Sequence, residues 1–294
     1  MEPYAIGSAS DTNLLKKHLL QQFDRLKEEG FRFALNEFTS GEYTFLGLSV
    51  HDTGQLGYAD KEIRQIIRHF VAGAVADLIV DRWEEDLLWG YIHSNYYYFA
   101  PEEQHRIFAL AWRELNGEGQ EQLVVRKLLR KNRITAKVLD YLATNQELVV
   151  DGFLRFRLQE YLQELEQAVE NAVDAFLLDR EYQEFIRLLR YFVDIQEPRT
   201  PEVHIFFPLD RQFRLEDREG GALAEDFVDD WLQYQPPSEI NLDDILVSAL
   251  ITLAPERLII HKTPANRLKT RGMLKEIFGT RLQECSGCHR CLVH

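Results

Sequence analysis

Cys285, Cys288 and Cys291 stand at C-x2-C-x2-C spacing and are the only cysteines in a chain of 294 residues. Thiolate sulfur is a soft donor that suits zinc or an iron–sulfur cluster. Three thiols leave one place of a four-coordinate site to fill, and His261, His289 and His294 compete for it. A regular helix would not gather residues at i, i+3 and i+6 around one ion, so the segment has to be a loop, which Gly287 permits. A bacterial-ferredoxin-like cluster wants a further cysteine at the fourth position after Cys291, and the sequence stops one residue short of it. A second chemistry is thiol redox: Cys285-Ser-Gly-Cys288 is a C-x-x-C pair, and His289 and Arg290 would favour its thiolate. The third reading is a terminal segment with ordinary thiols.

The elements needed to position these residues are legible nearby. Arg257 to His261 reads as a short buried strand, Thr263-Pro264 as the cap and first turn of a helix running to Phe278, and Arg281 to Glu284 as the next strand. Strand, helix and strand at this length form a βαβ crossover with parallel strands. Parallel strands finish on the same edge of a sheet, which places His261, at the end of the first, beside Cys285, just after the second. That makes His261 the best-placed fourth ligand. The edge beyond the strand ends is also where open α/β sheets carry their sites. Lys262, Arg267, Lys269 and Arg271 surround the expected helix start and are candidates for holding an anion there. No glycine-rich phosphate loop accompanies them. His204, alone in the strand-like Val203 to Phe207, reads as a satisfied core residue. Glu84, Glu85 and Asp86 read as a solvated helix face.

The rest of the chain divides into three parts. Residues 1–56 form an N-terminal α+β unit: a short strand at Tyr4, a helix from Asp11, and a hairpin from Phe31 to Val50 turning at Ser40-Gly41. Residues 57–199 are helical, with strong signals at Asp60 and at Pro101-Glu-Glu103. Within them a long helix over 153–195 carries Leu154, Leu158, Tyr161, Leu165, Ala168, Ala172 and Ala175 at alternating steps of four and three, resuming at Tyr182, Ile186, Leu189 and Val193. That spacing makes a packing seam, either within the protein's own bundle or between two copies. Residues 200–294 form a C-terminal α/β unit that also contains an acidic amphipathic helix over Ala222 to Tyr234.

The net charge is −14. Residues 151–256 carry nine basic and 24 acidic side chains, whereas 257–294 carry eight basic and two acidic ones. An acidic body repels nucleic acid and anionic membranes, so nucleic-acid binding survives only through the basic end. The longest nearly uncharged apolar stretch, Phe70 to Ala76, is far short of a membrane span. Three crowded cysteines do not make a disulfide framework, which points to a reducing compartment, the cytoplasm. Neither a G-x-S-x-G, a Walker A, a dinucleotide fingerprint nor an H-E-x-x-H is present.

Two stretches carry a family likeness. One runs from Asp151-Gly-Phe-Leu-Arg-Phe-Arg-Leu158 through Tyr161 to Glu184-Phe-Ile-Arg-Leu-Leu-Arg-Tyr-Phe-Val193. The other runs from Leu253-Ala-Pro-Glu-Arg-Leu-Ile-Ile-His261 to Ile277-Phe-Gly279 and the three cysteines. Together they resemble the YtxC-like family of sporulation-linked proteins from spore-forming Firmicutes. The resemblance implies a cytosolic, sporulation-associated protein and supplies no catalytic residue. The expectation is therefore an α+β protein with a predominantly helical middle. It would be a non-catalytic interaction protein with an unidentified protein partner and a metal-binding knuckle at Cys285, Cys288, Cys291 and His261. The alternative is a redox or metal-dependent enzyme acting on a small anion at the same sheet edge.

Overall fold

The computed structural model describes residues 4–9, 11–28, 31–51, 60–208, 213–223, 242–262, 264 and 267–292. They form two compact units, Met1–Leu177 and Leu178–His294, each with its own sheet and core. The fold is α+β with a helical middle, as the sequence pattern required.

The first unit opens with β1 (Tyr4–Ser8), α1 (Thr12–Glu28) and the hairpin β2 (Arg32–Ser40) and β3 (Tyr43–His51). Alternation puts Leu46 and Leu48 of β3 and Ile6 of β1 into the core, where Leu15, Leu19 and Phe23 of α1 cover them. Next come α2 (Asp60–Leu78), a π-helical segment (Ile79–Trp83), α3 (Glu84–Asn95), α4 (Pro101–Asn116) and α5 (Gln120–Thr144). Helix α4 starts as its sequence demands: Pro101 occupies the first turn and the Glu103 carboxylate accepts from the Ala100 N–H at 2.9 Å. It stops at Gly117, whose φ of 76° suits a glycine.

Beyond α5 the chain returns to the first sheet. Strand β4 (Glu147–Val149) lies parallel to β1, giving the order β2-β3-β1-β4. The N-terminal strands are thus completed by residues nearly a hundred positions further on. The division between the two compact units falls within the long helix, at Leu177. Helices α6 (Val150–Arg157) and α7 (Gln159–Ile195) follow, separated by a break at Leu158. The expected seam is buried from Leu154 to Ala172, but Phe176 replaces Ala175 on the inner face. The spacing then resumes, with Ile186 and Val193 buried and Leu189 packed against the core of the second unit.

In the second unit α7 ends and β5 (Thr200–Phe206), β6 (Arg214–Glu216), α8 (Leu242–Leu253), β7 (Pro255–Ile260), α9 (Leu268–Phe278) and β8 (Leu282–Glu284) follow. The sheet order is β6-β5-β7-β8, with β5, β7 and β8 parallel. The crossover β7–α9–β8 is the one read from the sequence. Its helix starts later than Pro264: the Pro264 carbonyl accepts from the Arg267 N–H in a single turn, and regular helix begins at Leu268. Val203, Ile205, Leu258, Ile260, Leu250 and Ile277 form the core. Thr263 and the expected helix beyond Leu223 lie outside the described residues. Among the described residues no helix is long and apolar enough to cross a membrane.

Candidate metal centre

The ladder between β5, β7 and β8 runs on past the strand ends. The His261 N–H donates to the Ile205 carbonyl at 3.0 Å, and the Cys285 N–H donates to the Ile260 carbonyl at 2.9 Å. These two bonds fix His261 and Cys285 next to each other on one edge of the sheet. The backbone then turns through Gly287, at φ 112°, into a 3-10 turn at His289–Leu292 that returns Cys288 and Cys291 to the same point. The Cys291 N–H donates to the Cys288 carbonyl at 3.1 Å, closing the loop.

The ligand-capable atoms of His261, Cys285, Cys288 and Cys291 all lie within 4.8 Å of one another. The Cys291 sulfur is 3.8 Å from both the Cys285 and the Cys288 sulfurs. His261 Nδ1 stands 3.2 Å from Cys291 Sγ and 3.6 Å from Cys288 Sγ. This cluster could hold a metal ion. His289 is not part of it, and His294 lies outside the described residues.

His261 is buried and oriented from behind. Its Nε2 lies 2.9 Å from His204 Nδ1, and His204 Nε2 lies 3.0 Å from Glu202 Oε1. Glu202, His204 and Phe206 share one face of β5 because strand side chains alternate with a period of two. Phe206 stacks on the His261 ring at 4.0 Å between centroids and 11° between planes. Burial, and then the Arg290 charge, push the His204 pKa below its usual value, overcoming Glu202 and Glu216. The ring is therefore neutral at neutral pH and can relay one hydrogen bond in a fixed direction.

The tail carrying the cysteines is anchored by Arg290. Its guanidinium lies 5.3 Å above the Phe206 ring and pairs with Glu216, which also pairs with Arg214. Burial alone would raise the Glu216 carboxyl, but Arg290 and Arg214 hold it below the ordinary carboxylate value. Among the thiols, burial opposes ionisation of Cys291, yet backbone hydrogen bonds from Cys288 and Lys262 and the neighbouring thiols bring it down to about 7. At Cys285 the Gly287 N–H draws the pKa down, but burial and the other two sulfurs outweigh it and leave it raised. One thiol of the set thus ionises easily, which is what metal capture needs.

The candidate anion site is arranged differently. Arg267 contacts Asp243 at 3.3 Å and Arg271 contacts Glu284 at 3.4 Å, so carboxylates already engage two of the four cations. Lys262 and Lys269 are exposed. A groove of about 820 Å³ in the first unit, lined among others by Tyr141, Phe153, Phe156 and Arg157, contains none of these residues.

Two features escaped the sequence. His204 does satisfy the description of a buried, hydrogen-bonded histidine, but what it bonds is the candidate ligand. The period-two run Glu202-x-His204-x-Phe206 was the signal. In the first unit, Glu84 is not a solvated acid: it is fully buried and forms a bidentate pair with Arg130, at 2.8 Å on both arms. The π-helical segment before it adds one residue to the turn and swings Trp83 and Glu84 inward. The Tyr161 hydroxyl donates to Glu84 at 3.0 Å, and Arg130 also donates to Asn116 Oδ1 and the Leu115 carbonyl.

With the geometry in hand, comparison with known proteins adds a family. The YtxC-like family model matches residues 69–283, well over half of the chain, and the chain belongs to that family. A relative described as "Uncharacterized protein YtxC" from Bacillus subtilis (strain 168) is 25% identical over 223 residues, which are 74% of this chain and 76% of that protein. No solved structure matches. The family match takes in His204 and His261 and ends just before Cys285.

Proposed function

We propose that this YtxC-like protein is a non-catalytic, cytosolic interaction protein whose C-terminal knuckle is closed by a single zinc ion. The ligands are His261 through Nδ1 and the thiolates of Cys285, Cys288 and Cys291. The observation that carries the reading is the spacing of the donor atoms. Zinc–sulfur bonds of about 2.3 Å in a tetrahedron put the sulfurs about 3.8 Å apart, and a zinc–nitrogen bond of about 2.0 Å puts nitrogen about 3.5 Å from each sulfur. Two sulfur separations of 3.8 Å, nitrogen–sulfur separations of 3.2 and 3.6 Å, and all four donors within 4.8 Å of one another support one ion. A four-iron cluster is supported less well, because each thiolate there holds a different iron and the sulfurs stand further apart.

Four protein donors fill a tetrahedral ion and leave no open position for water or substrate, which is the mark of a structural site. The ion would clamp residues 285–292 to the ends of β7 and β8, giving the C-terminal segment a fixed surface to present. The competing reading, an enzyme holding an anion, asks Arg267 and Arg271 to leave Asp243 and Glu284. The association with sporulation rests on the family resemblance, and its direct test is the yield of heat-resistant spores from a host lacking the protein.

Metal analysis of protein purified without oxygen tests the site. The expected result is one zinc per chain, lost in the Cys285→Ser, Cys288→Ser double variant. Protein free of metal with three freely reactive thiols contradicts it.

A further inference from the structure

We propose that the C-terminal knuckle is a peroxide-sensitive switch: Cys291 forms a disulfide with Cys285 or Cys288, the ion leaves, and residues 286–292 come off the sheet edge. The proposal rests on the zinc reading above and adds how that centre is opened. Its four donors are unequally sheltered. His261 is buried, stacked on Phe206 and backed by His204, whereas Cys285, Cys288 and Cys291 are each half-buried. Ser286, Gly287 and His289 between them are exposed. A small oxidant therefore reaches the centre from its sulfur side.

Cys291 is the pivot. Its sulfur lies 3.8 Å from the Cys285 sulfur and 3.8 Å from the Cys288 sulfur. A disulfide spans about 2.05 Å, so either pair closes by a shift of about 2 Å. The backbone that has to follow is lightly held. Gly287 has open space around it, and Cys285 is bonded to the strand end through its N–H. Beyond Cys285 the segment is tied by the Arg290–Glu216 pair and by the sulfurs themselves. Accessible cysteines with a resolving cysteine beside them are the ones that sense peroxide, and disulfides in a reducing compartment are usually transient ones of this kind.

The chemistry balances with hydrogen peroxide as oxidant. The Cys291 thiolate attacks one peroxide oxygen; the sulfur–oxygen bond forms, the oxygen–oxygen bond breaks, and hydroxide leaves. The second thiolate attacks the resulting sulfenic sulfur; the disulfide forms and a second hydroxide leaves. Two thiolates have lost two electrons, peroxide has gained them, and solvent protons turn both hydroxides to water. One thiolate and the His261 nitrogen remain, half of a tetrahedral set, and the ion is lost. The surface presented by the clamped tail thus exists only while the thiols are reduced.

Zinc-loaded full chain, purified without oxygen, is titrated with hydrogen peroxide. A chromophoric chelator reads released zinc, and thiol labelling with mass spectrometry reads each cysteine. The expected result is one zinc released per disulfide formed, with labelled thiols falling from three to one and Cys291 always in the disulfide. Protease cleavage between Cys285 and Leu292 should rise in step while helix content holds, and dithiothreitol with added zinc should reverse all of it. Zinc retained until the thiols have become sulfinic acids overturns the switch. So does zinc released while all three thiols still label, or a disulfide that omits Cys291. A chain that holds zinc but fails these tests keeps the zinc reading and loses the switch; a chain with no zinc before oxidant is added overturns both.

Discussion

His261 Nε2 lies 2.9 Å from Nδ1 of His204, so one ring donates to the other, and the Glu202 carboxylate beside His204 Nε2 sets the direction. With Nδ1 of His261 turned to the sulfurs, its proton sits on Nε2 and is donated to His204. His204 must then carry its own proton on Nε2, from which it donates to Glu202 at 3.0 Å. The chain of donors runs one way, from His261 Nε2 through His204 Nε2 to the Glu202 carboxylate. Groups of this kind orient a ligating imidazole and raise its basicity.

Glu202→Gln and His204→Ala should each weaken zinc binding by roughly 10–100-fold while leaving the stoichiometry at one. Competition with a chromophoric chelator measures the affinity. Nitrogen NMR of the two rings checks the cause, since both should be protonated at Nε2 in the zinc-bound protein. Unchanged affinity in both variants would leave the site standing and remove the relay.

Gly287 makes the loop possible with a φ of 112° and has open space around it, so a side chain there meets no neighbour. The penalty of Gly287→Ala is then backbone strain alone, about 1–3 kcal/mol. It should appear as roughly tenfold or greater loss of zinc affinity in the same competition assay, with the melting behaviour of the first unit untouched.

The Glu84–Arg130 pair predicts an asymmetry in stability. Arg130→Ala leaves the Glu84 charge buried without its partner and should destabilise the protein by about 3–5 kcal/mol. Replacing both, as Glu84→Leu with Arg130→Met, should cost less than the single change. Urea unfolding of the three variants compares them, and a double variant worse than Arg130→Ala would contradict the reading.

Acid should loosen the C-terminal tail through Glu216. Its folded pKa is depressed, so its contribution is present above the unfolded value, near 4.5, and is lost as pH falls toward the folded value. Stability should fall in that window for the wild type and fall less in Glu216→Gln. Protease cleavage between Cys285 and Leu292, followed against pH, reads the same release locally.

Local signals were legible where one residue type decides the outcome. Proline at 101, glycine at 117 and the alternation of Phe31 to Val50 set elements that the fold repeats. The β7–α9–β8 crossover was equally readable, and with it the meeting of His261 and Cys285, because parallel strands must end together. The features that stayed hidden depend on partners distant in sequence. Strand β4 is three residues long and gains its meaning only beside β1. Glu84 looks like its solvated neighbours until a π turn directs it at Arg130, 46 positions away. His204 looked solitary because its partner stands 57 positions on. The long-helix seam departs from its spacing at Ala175 and Tyr182, which are exposed, and holds again at Ile186 and Val193, which are buried in the core of the second unit.

The account depends on one ion being held by three sulfurs and one imidazole, and zinc-edge X-ray absorption on the purified protein reads that shell directly. The expected spectrum has three sulfurs at about 2.3 Å and one nitrogen at about 2.0–2.1 Å, with the nitrogen lost in His261→Ala. A shell of light atoms only, or one that His261→Ala leaves unchanged, would contradict it.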